Sequence, residues 1–381
     1  MKVDEMEEPI LRIRGLKTDF YTYEGAVKAL DDVSFDLYKG ETLGLVGETG
    51  CGKSVTALSI MQLVPEPGKI IDGKIMFKGK NLLGLNAEEM MKIRGKEIAM
   101  IFQDPLTYIN PVLTIGDQIA EVIMFHRSLD RDVLEMKTKE LEKTSQSDPA
   151  SSKVDGLESK TERLKKMENP PKPSRQDLKK VTREKTLEML RWVRMPYPEK
   201  VIDQYPHELS GGMRQRAVIA MALSCRPSLI ICDEATTFLD VTVQAQILGL
   251  LQELKKEANL SVMFITHDLG IVAQFCDHIV VMYAGVIVEQ TDVSKLFDNP
   301  LHPYTSGLLA AIPTFHRNKG RLNIIPGNVP NLINPPSGCR FHPRCPHAKA
   351  ICKKEKPKMV EVIPEHFVAC HIFSTPNEWG Q

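Results

Sequence analysis

Eight consecutive residues near the N-terminal end of the chain have the types and spacing that bind a polyphosphate. The run Gly47-Glu48-Thr49-Gly50-Cys51-Gly52-Lys53-Ser54 matches the pattern G-x-x-x-x-G-K-[ST] at every required position. Its glycines let the backbone curl, so that several N–H groups face an anion. Lys53 would reach the outer phosphates, and the Ser54 hydroxyl would hold Mg²⁺. We therefore predict a phosphate site that extends from this run into Val55.

Four further polar residues follow short apolar runs that read as buried strands. Gln103 follows Ile98 to Phe102, Asp233 and Glu234 follow Leu229 to Cys232, and His267 follows Val262 to Thr266. Polar side chains at the carboxyl ends of such strands point into the ligand crevice of α/β proteins. For Gln103 alone, a strand-terminating turn is an equally simple interpretation.

A second glycine-containing stretch, Leu209-Ser210-Gly211-Gly212-Met213-Arg214-Gln215-Arg216, begins an apolar helix. Ser210 has the side chain typical of a helix N-cap. Gly211 and Gly212 leave the first backbone N–H groups of that helix open to an anion.

Three aromatic residues precede Gly25, namely Phe20, Tyr21 and Tyr23. An aromatic ring at this position could stack on a nucleotide base, and we expect Tyr23 to do so. The alternative is that each is an ordinary aromatic residue of a strand.

The elements that position these residues follow from hydrophobic patterning. Thr42 to Val46 reads as a buried strand and Ser54 to Met61 as a helix, which is the context that a phosphate loop needs. Leu11 to Ser34 alternates apolar and polar residues, as in an antiparallel layer. Ile279 to Met282 and Val286 to Glu289 read as a hairpin. The pattern predicts an α/β protein.

Bulk composition excludes several function classes. The chain has 381 residues, 42% hydrophobic content and a formal net charge of zero, which argues against nucleic acid as the main partner. No run approaches the length of a membrane span, and the acidic start, Met1 to Pro9, lacks the shape of a signal peptide. We expect a chain that is cytosolic or lies against a membrane through a partner.

Two regions differ in composition from the rest. From about residue 127 to 183 the chain is highly charged and lacks aromatic residues, so we expect a solvated insertion of helical pieces joined by flexible links, with a docking arm as the alternative. Past about Pro300, prolines are frequent and periodicity is lost, which predicts a small irregular region. That region holds Cys339, Cys345, Cys352 and Cys370. Four thiolates suit zinc or an iron–sulfur cluster, and free or disulfide-linked cysteines remain alternatives.

The order of these motifs resembles that of an ABC transporter ATPase, in which Leu209 to Met213 is the discriminating signature. The resemblance covers roughly Leu11 to Ile312. Within the family, the chain most resembles the ATP-binding subunits of dipeptide and oligopeptide importers. In the ATPase part, this closer resemblance rests on Ile101 to Pro105, Asn110-Pro111, Leu209 to Arg216 and Asp240 to Gln246. In the tail, it rests on His302 to Thr305, Ile325 to Gly327 and Gly338 to Pro346. The chain departs from the family pattern at Ala235, Phe238 and Ile109, and in the length of its charged insertion.

The resemblance implies a RecA-like phosphate-loop ATPase core with an antiparallel β layer, a helical subdomain and a small cysteine-containing C-terminal region. It implies an ATPase domain over residues 1–313, with a helical subdomain at about 105–205 that includes the insertion at 127–183. An importer-type extension would then follow over residues 314–381.

Residue roles follow from the same resemblance. Asp233 would hold Mg²⁺ together with Ser54, and Gln103 would complete the metal and water shell. Glu234 would polarise the attacking water, and His267 would contact the γ-phosphate of ATP. Ser210, Gly211 and Gly212 would close over ATP bound to a second subunit.

The resemblance also implies partners and a location. We expect a second ABC ATPase subunit, most simply in a heterodimer, two transmembrane permease subunits and, indirectly, an extracytoplasmic substrate-binding protein, with no nucleic acid. The chain would lie at the cytoplasmic face of the membrane, and the four C-terminal cysteines would hold a [4Fe–4S] cluster, with zinc as the alternative. Rival functions are a soluble ABC ATPase that acts on nucleic acid or ribosomes, an importer of nickel or sugars, and a metal-cluster module whose ATPase is vestigial.

Overall fold

The computed structural model describes residues 8–147, 173–237, 239–312 and 325–373. The chain divides into two compact units, one made of residues 1–103 and 228–381 and the other of residues 104–227. Of the helices in the described ranges, none combines the length and the apolar character that crossing a bilayer requires. Phe238, one of the departures from the family pattern, lies outside the described residues.

The first unit contains a four-stranded antiparallel sheet in the order β2-β1-β4-β5. Its strands are β1 (Leu11–Thr22), β2 (Gly25–Leu37), β4 (Gly68–Phe77) and β5 (Lys80–Asn81). Leu11 and Ile13 are buried and Arg12 between them is exposed, so the alternation in the sequence corresponds to two faces of the sheet. The predicted antiparallel layer is present.

A second sheet in the same unit has eight strands in the order β11-β12-β10-β9-β3-β8-β7-β6. Its strands are β3 (Thr42–Val46), β6 (Ile98–Ile101), β7 (Leu229–Asp233), β8 (Ser261–Thr266), β9 (His278–Tyr283), β10 (Val286–Asp292), β11 (Val360–Ile363) and β12 (His366–Val368). The strands from β9 to β6 are parallel, and β10, β12 and β11 continue the sheet in antiparallel pairing. The parallel strands are nearly continuous apolar runs because both of their faces are covered.

In the described ranges of the first unit, six α-helices accompany these sheets. They are α1 (Lys53–Ile60), α2 (Ala87–Ile93), α9 (Val241–Ala258), α10 (Leu269–Phe275), α11 (Val293–Asp298) and α12 (Pro303–Ala310). One apolar cluster joins the two sheets through α1, with Leu11, Leu45, Ile60 and Ile265 among its fully buried members. Helix α1 is therefore held rigidly at the end of β3, where the phosphate loop lies.

The second unit is helical. Its helices are α3 (Pro105–Tyr108), α4 (Ile115–His126), α5 (Asp130–Ser147), α6 (Arg175–Trp192), α7 (Pro198–Val201) and α8 (Gly211–Leu223). Helix α6 packs against α4, α5 and α8. The described part of the charged insertion therefore contains α5 and the start of α6, and residues 148–172 between them lie outside the described residues.

The C-terminal region is more ordered than its composition suggests. Strands β11 and β12 form a hairpin that extends the large sheet, with Val368 paired to Glu289 of β10. The fully buried Glu289 carboxylate accepts hydrogen bonds from the backbone N–H of Leu301 and of His302, at 2.7 and 2.9 Å, and contacts the His366 Nε2 atom at 2.7 Å. The prediction of a merely irregular tail is incomplete, because the tail also supplies two strands.

Candidate functional site

The phosphate loop connects β3 to α1, and two of its positions require glycine. Gly47 has φ +153° and Gly52 has φ +104°, conformations that side chains rarely adopt. A Cβ atom at Gly47 would lie 2.2 Å from the Met282 carbonyl oxygen, and one at Gly52 would lie 2.8 Å from the Ala29 carbonyl oxygen. Close contacts with β9 and β2 therefore require glycine at these two positions.

Lys53, the first residue of α1, is only 5% exposed and points back along the loop. Its Nζ atom donates to the carbonyl oxygens of Gly47 and Glu48, at 2.8 and 3.1 Å. Cys51 is buried beside it, and that burial raises the pKa of the Cys51 thiol, which keeps the thiol neutral. The ammonium of Lys53 is the cationic group of this loop.

Ser54 and Asp233 come together although 179 positions separate them. The Ser54 hydroxyl is exposed and donates to the Asp233 carboxylate at 3.0 Å. Burial at the end of β7 raises the pKa of Asp233, and the hydrogen bond from Ser54 opposes that rise. A hydroxyl and a carboxylate oxygen are ligands that Mg²⁺ prefers, so the two residues fit a magnesium ion.

Glu234 sits between Gln103 and His267. The Gln103 amide donates to one carboxylate oxygen at 2.8 Å, and the His267 Nδ1 atom lies 3.3 Å from the other. Parallel pairing brings the ends of β6, β7 and β8 to one edge of the sheet, which is why these three tips meet.

The backbone of Glu234 is strained. Its φ of +49° lies in the left-handed region, and its N–H donates to the Ile265 carbonyl oxygen at 3.0 Å. A non-glycine residue in this conformation has a cost of about 1–3 kcal/mol and is typical of functional sites. Here the turn aims the carboxylate at Gln103 and His267, where it could polarise a water molecule.

The remaining predicted nucleotide-site residues of the first unit lie away from the Gln103–Glu234–His267 group. Tyr23 is 98% exposed in the turn between β1 and β2, so its ring is free to contact a base. Val55 packs against the core, and therefore only its backbone is available to a phosphate. Thr49 and Gly50 are exposed at the tip of the loop.

The signature stretch belongs to the helical unit. Ser210 caps α8 by accepting a hydrogen bond from the Met213 N–H at 3.4 Å, as predicted from its type. Ser210 and Gly211 are exposed, and Gly212 is half-buried. The N-terminal end of α8 is thus accessible to another molecule.

Sequence reasoning missed a set of tail residues around the phosphate loop. Arg344 forms a double hydrogen bond with the Glu48 carboxylate, and the Tyr304 hydroxyl accepts a hydrogen bond from the Glu48 N–H. The stretches that hold Tyr304 and Arg344 were noted only as parts of the tail. Nothing in their types signals a contact with Glu48, which lies 256 positions from Tyr304 and 296 from Arg344.

The four C-terminal cysteines are free thiols, and three of them lie close enough to Cys370 to influence it electrostatically. Burial raises the pKa of Cys339 and of Cys345, and it raises the pKa of Cys370 to about 11, while the nearby thiols add to each rise. Across the described residues, however, no group of three or more His, Cys, Asp or Glu side chains is arranged to hold a metal ion. The cysteines suit a metal in type and not in arrangement, so the predicted [4Fe–4S] cluster and its zinc alternative are unsupported.

Two family models match the chain. One, described as ABC transporter, matches residues 30–237, which include the phosphate loop, the signature and the Asp233–Glu234 turn. The other, described as oligopeptide/dipeptide transporter, C-terminal region, matches residues 288–352 and so covers Tyr304 and Arg344.

Curated relatives match almost end to end. A probable peptide ABC transporter ATP-binding protein of Sinorhizobium fredii is 45% identical over 97% of this chain and 97% of its own length. A dipeptide transport ATP-binding protein of Bacillus subtilis is 44% identical over 96% of this chain and 95% of its own length. An oligopeptide transport ATP-binding protein of Escherichia coli is 42% identical over 96% of this chain and 94% of its own length.

Solved structures of ATP-binding cassettes share the fold. A dimeric cassette in a post-hydrolysis state, bound to ADP and phosphate, aligns with a TM-score of 0.56 at 22% identity, over 74% of this chain and 98% of that one. The likeness confirms the predicted fold class, a phosphate-loop ATPase core of the RecA type.

Proposed function

The chain belongs to the ABC transporter ATPase family, and from that membership we propose that it is the motor subunit of an importer for dipeptides or oligopeptides. The three relatives described above are named as ATP-binding proteins of peptide, dipeptide and oligopeptide transport, and the match to the oligopeptide/dipeptide transporter C-terminal region lies in this chain's tail. ATP hydrolysis would drive the import.

The observation that carries the catalytic proposal is the grouping of Gln103, Glu234 and His267 at one sheet edge. Glu234 accepts a hydrogen bond from the attacking water and polarises it, and Gln103 orients the carboxylate. His267 donates a hydrogen bond to the γ-phosphate and stabilises the charge that develops there. The water oxygen forms a bond to the γ-phosphorus as the bond between that phosphorus and the β-bridging oxygen breaks, and the water gives up a proton, leaving ADP and inorganic phosphate.

The same edge binds the nucleotide. Lys53 and the backbone N–H groups of the phosphate loop would hold the phosphates, and Ser54, Asp233 and Gln103 would hold Mg²⁺. The ion supplies charge neutralisation at the phosphate oxygens. Tyr23, which is exposed, stacks on the base.

The helical unit provides the second half of an ATP site, on another subunit. Ser210, Gly211 and Gly212 close over ATP bound to that subunit, and its own signature closes over ATP bound here. The exposure of Ser210 and Gly211 supports this proposal, because a buried signature could not face another molecule. We propose that the second subunit is a related but different ATPase chain.

Further partners and the location complete the proposal. Two permease subunits carry the substrate across the membrane, and a substrate-binding protein outside the cytoplasm selects it. This chain lies at the cytoplasmic face, attached through the permeases. The domain division is part of the proposal too, with an ATPase domain over residues 1–313, its helical subdomain at about 105–205, and an extension over residues 314–381.

A metal cluster on Cys339, Cys345, Cys352 and Cys370 stays a prediction that one preparation can test. The types of the four residues suit a metal, but the raised pKa values of Cys339, Cys345 and Cys370 disfavour the thiolate form, and no ligand arrangement is present in the described residues. Anaerobic purification followed by elemental analysis and absorption spectroscopy should find about four irons per chain for [4Fe–4S] or one zinc for the alternative. A metal-free chain would end the prediction.

The importer proposal is tested by purification from membranes of the source cells. We expect two permeases and a second ATPase to co-purify, and ATP-dependent peptide uptake after reconstitution in liposomes with the binding protein. Co-purification of RNA or ribosomes instead would favour the soluble ATPase. Uptake of nickel or a sugar, but not of peptides, would contradict the proposed substrate and leave the proposed role as the ATPase of an importer intact.

A further inference from the structure

The phosphate loop carries an acidic residue, and the tail neutralises it. Glu48 occupies a variable position of the loop, where a carboxylate near a polyphosphate adds like-charge repulsion. Arg344 lies 296 positions away and donates from Nη1 and Nη2 to the two Glu48 oxygens, at 2.7 and 3.0 Å. Such a bidentate pair is among the stronger hydrogen-bonded contacts in proteins.

Arg344 is fixed by the tail itself. Its Nε atom donates to the Pro326 carbonyl oxygen at 2.9 Å, and Nη2 also donates to the Ile325 carbonyl oxygen at 3.3 Å. The guanidinium lies 5.7 Å from the ring centroid of Tyr283, and the Arg344 side chain is only 5% exposed. The cation is therefore already oriented toward Glu48 by groups that do not belong to the loop.

A second tail contact acts on the backbone of the same loop residue. The Tyr304 hydroxyl accepts a hydrogen bond from the Glu48 N–H at 2.9 Å. Tyr304 is fully buried, and its ring packs edge-on against Tyr283 at 4.7 Å and lies 5.4 Å from Phe341. Because an aromatic cluster fixes the hydroxyl, it also fixes this point of the loop.

We propose that Arg344 and Tyr304 are positioning residues for ATP binding, through which the C-terminal region holds the phosphate loop open to the nucleotide and cancels the charge of Glu48. The inference rests on the proposed ATP site and adds a function for the tail within it. Loss of Arg344 would leave an unpaired carboxylate beside the phosphates, so ATP affinity should fall.

The tail also offers a matched control. Arg340 is as deeply buried as Arg344 and anchors the same segment, but it pairs with Asp31 at 3.1 Å and donates to the Ala284 carbonyl oxygen. Within the part of the chain that the structure describes, its hydrogen bonds and ion pair go to Lys28, Ala284 and Asp31 and not to Glu48. An Arg340→Met variant therefore weakens tail docking without uncovering the loop carboxylate.

The test measures the Kd for MgATP by fluorescence titration in the full chain, with thermal unfolding without nucleotide as the folding check. Arg344→Met should weaken binding about tenfold or more, and Arg344→Lys, which keeps the charge, should weaken it less. Tyr304→Phe should weaken binding about threefold to tenfold because it removes one hydrogen bond. Arg340→Met should bind ATP like the wild type.

Two further readouts separate a charge effect from a loss of structure. Adding Glu48→Gln to Arg344→Met should restore most of the affinity, since it removes the unpaired carboxylate. Raising the salt from about 0.05 to 0.5 M should shrink the defect of Arg344→Met in part, because salt screens the 29% exposed Glu48 carboxylate less than a fully exposed charge.

Wild-type affinity in Arg344→Met, an equal defect in Arg340→Met, or no rescue by Glu48→Gln would each overturn the proposal. Failure of the wild type itself to bind ATP would instead overturn the proposed function, so the two failures are distinguishable.

Discussion

The Gln103 amide nitrogen lies 2.8 Å from a carboxylate oxygen of Glu234, and this contact joins the ends of two parallel strands. Gln103 follows β6 and Glu234 follows β7, so the pair depends on the sheet and not on sequence proximity. His267 completes the group from the end of β8. The hydrolytic part of the account depends on these three side chains acting together.

Replacing Glu234 by Gln should separate ATP binding from hydrolysis. The amide keeps the size of the side chain but is a far poorer acceptor for a proton or hydrogen bond from water, so turnover should fall at least about 100-fold. The Kd for ATP should stay within about threefold of the wild type. Phosphate-release and nucleotide-titration assays check both, and a turnover close to that of the wild type would remove Glu234 from its proposed role.

Gln103→Leu tests the hydrogen bond between Gln103 and Glu234 by removing its donor. It removes the hydrogen bond to Glu234 and leaves the carboxylate in place, so kcat should fall by about tenfold with a smaller change in KM. In the Glu234→Gln background the same substitution should add little, because residues that act as a unit are not additive. Fully additive losses would show that Gln103 acts independently of Glu234.

Ser54 offers a conservative pair of variants. Ser54→Ala removes the hydroxyl that lies 3.0 Å from Asp233, whereas Ser54→Thr keeps a hydroxyl at the same position. We expect the alanine variant to lose most of the Mg²⁺ dependence of ATP binding and the threonine variant to retain it. Titrations with and without Mg²⁺ measure this, and equal behaviour of the two variants would exclude Ser54 as a ligand.

His302 should make stability depend on pH. Burial lowers the pKa of His302 to about 4, and its Nδ1 atom accepts a hydrogen bond from the Tyr304 N–H at 3.1 Å, so the folded chain holds it neutral. Below pH 6.5 the unfolded chain binds this proton and the folded chain does not. The stabilisation is therefore complete above pH 6.5 and is lost as the pH falls toward 4, by at most about 3 kcal/mol.

The control for this prediction is His302→Asn, whose side-chain oxygen can accept the same hydrogen bond and does not titrate. Denaturant unfolding at pH 7, 6 and 5 should show a steeper loss of stability in the wild type than in the variant. Parallel pH profiles for the two proteins would contradict the prediction.

The part of the site that could be predicted from sequence is the part that local rules specify. The phosphate loop needs glycine where φ is positive, as at Gly47 and Gly52, and these positions lie within one short run. Strand tips are also readable, because buried parallel strands are apolar and end in polar residues such as Asp233 and His267. Ser210 was recognisable as a helix cap from its type.

Long-range contacts were not predictable in this way. The pairing of Arg344 with Glu48 depends on how the tail folds back over the sheet, which no local pattern reports. Strand β11 was missed because it has only four residues, most of them exposed, and lies in a proline-rich stretch, so its apolar residues form no distinctive pattern. For the cysteines, residue type suggested a metal, but spacing along the chain does not determine the distances between thiols.

The central claim is that the ATP site is shared between two subunits. Analytical ultracentrifugation of the Glu234→Gln chain tests it most directly, by measuring whether the chain associates in the presence of ATP. The chain is measured alone and with the second ATPase subunit that co-purifies with it, in MgATP and in MgADP, beside a Ser210→Arg variant of the same protein. A composite site predicts a dimer in MgATP, little association in MgADP, and loss of the dimer in the Ser210→Arg variant. A chain that stays monomeric in MgATP with its partner present would contradict the composite site. So would a dimer that persists in the Ser210→Arg variant.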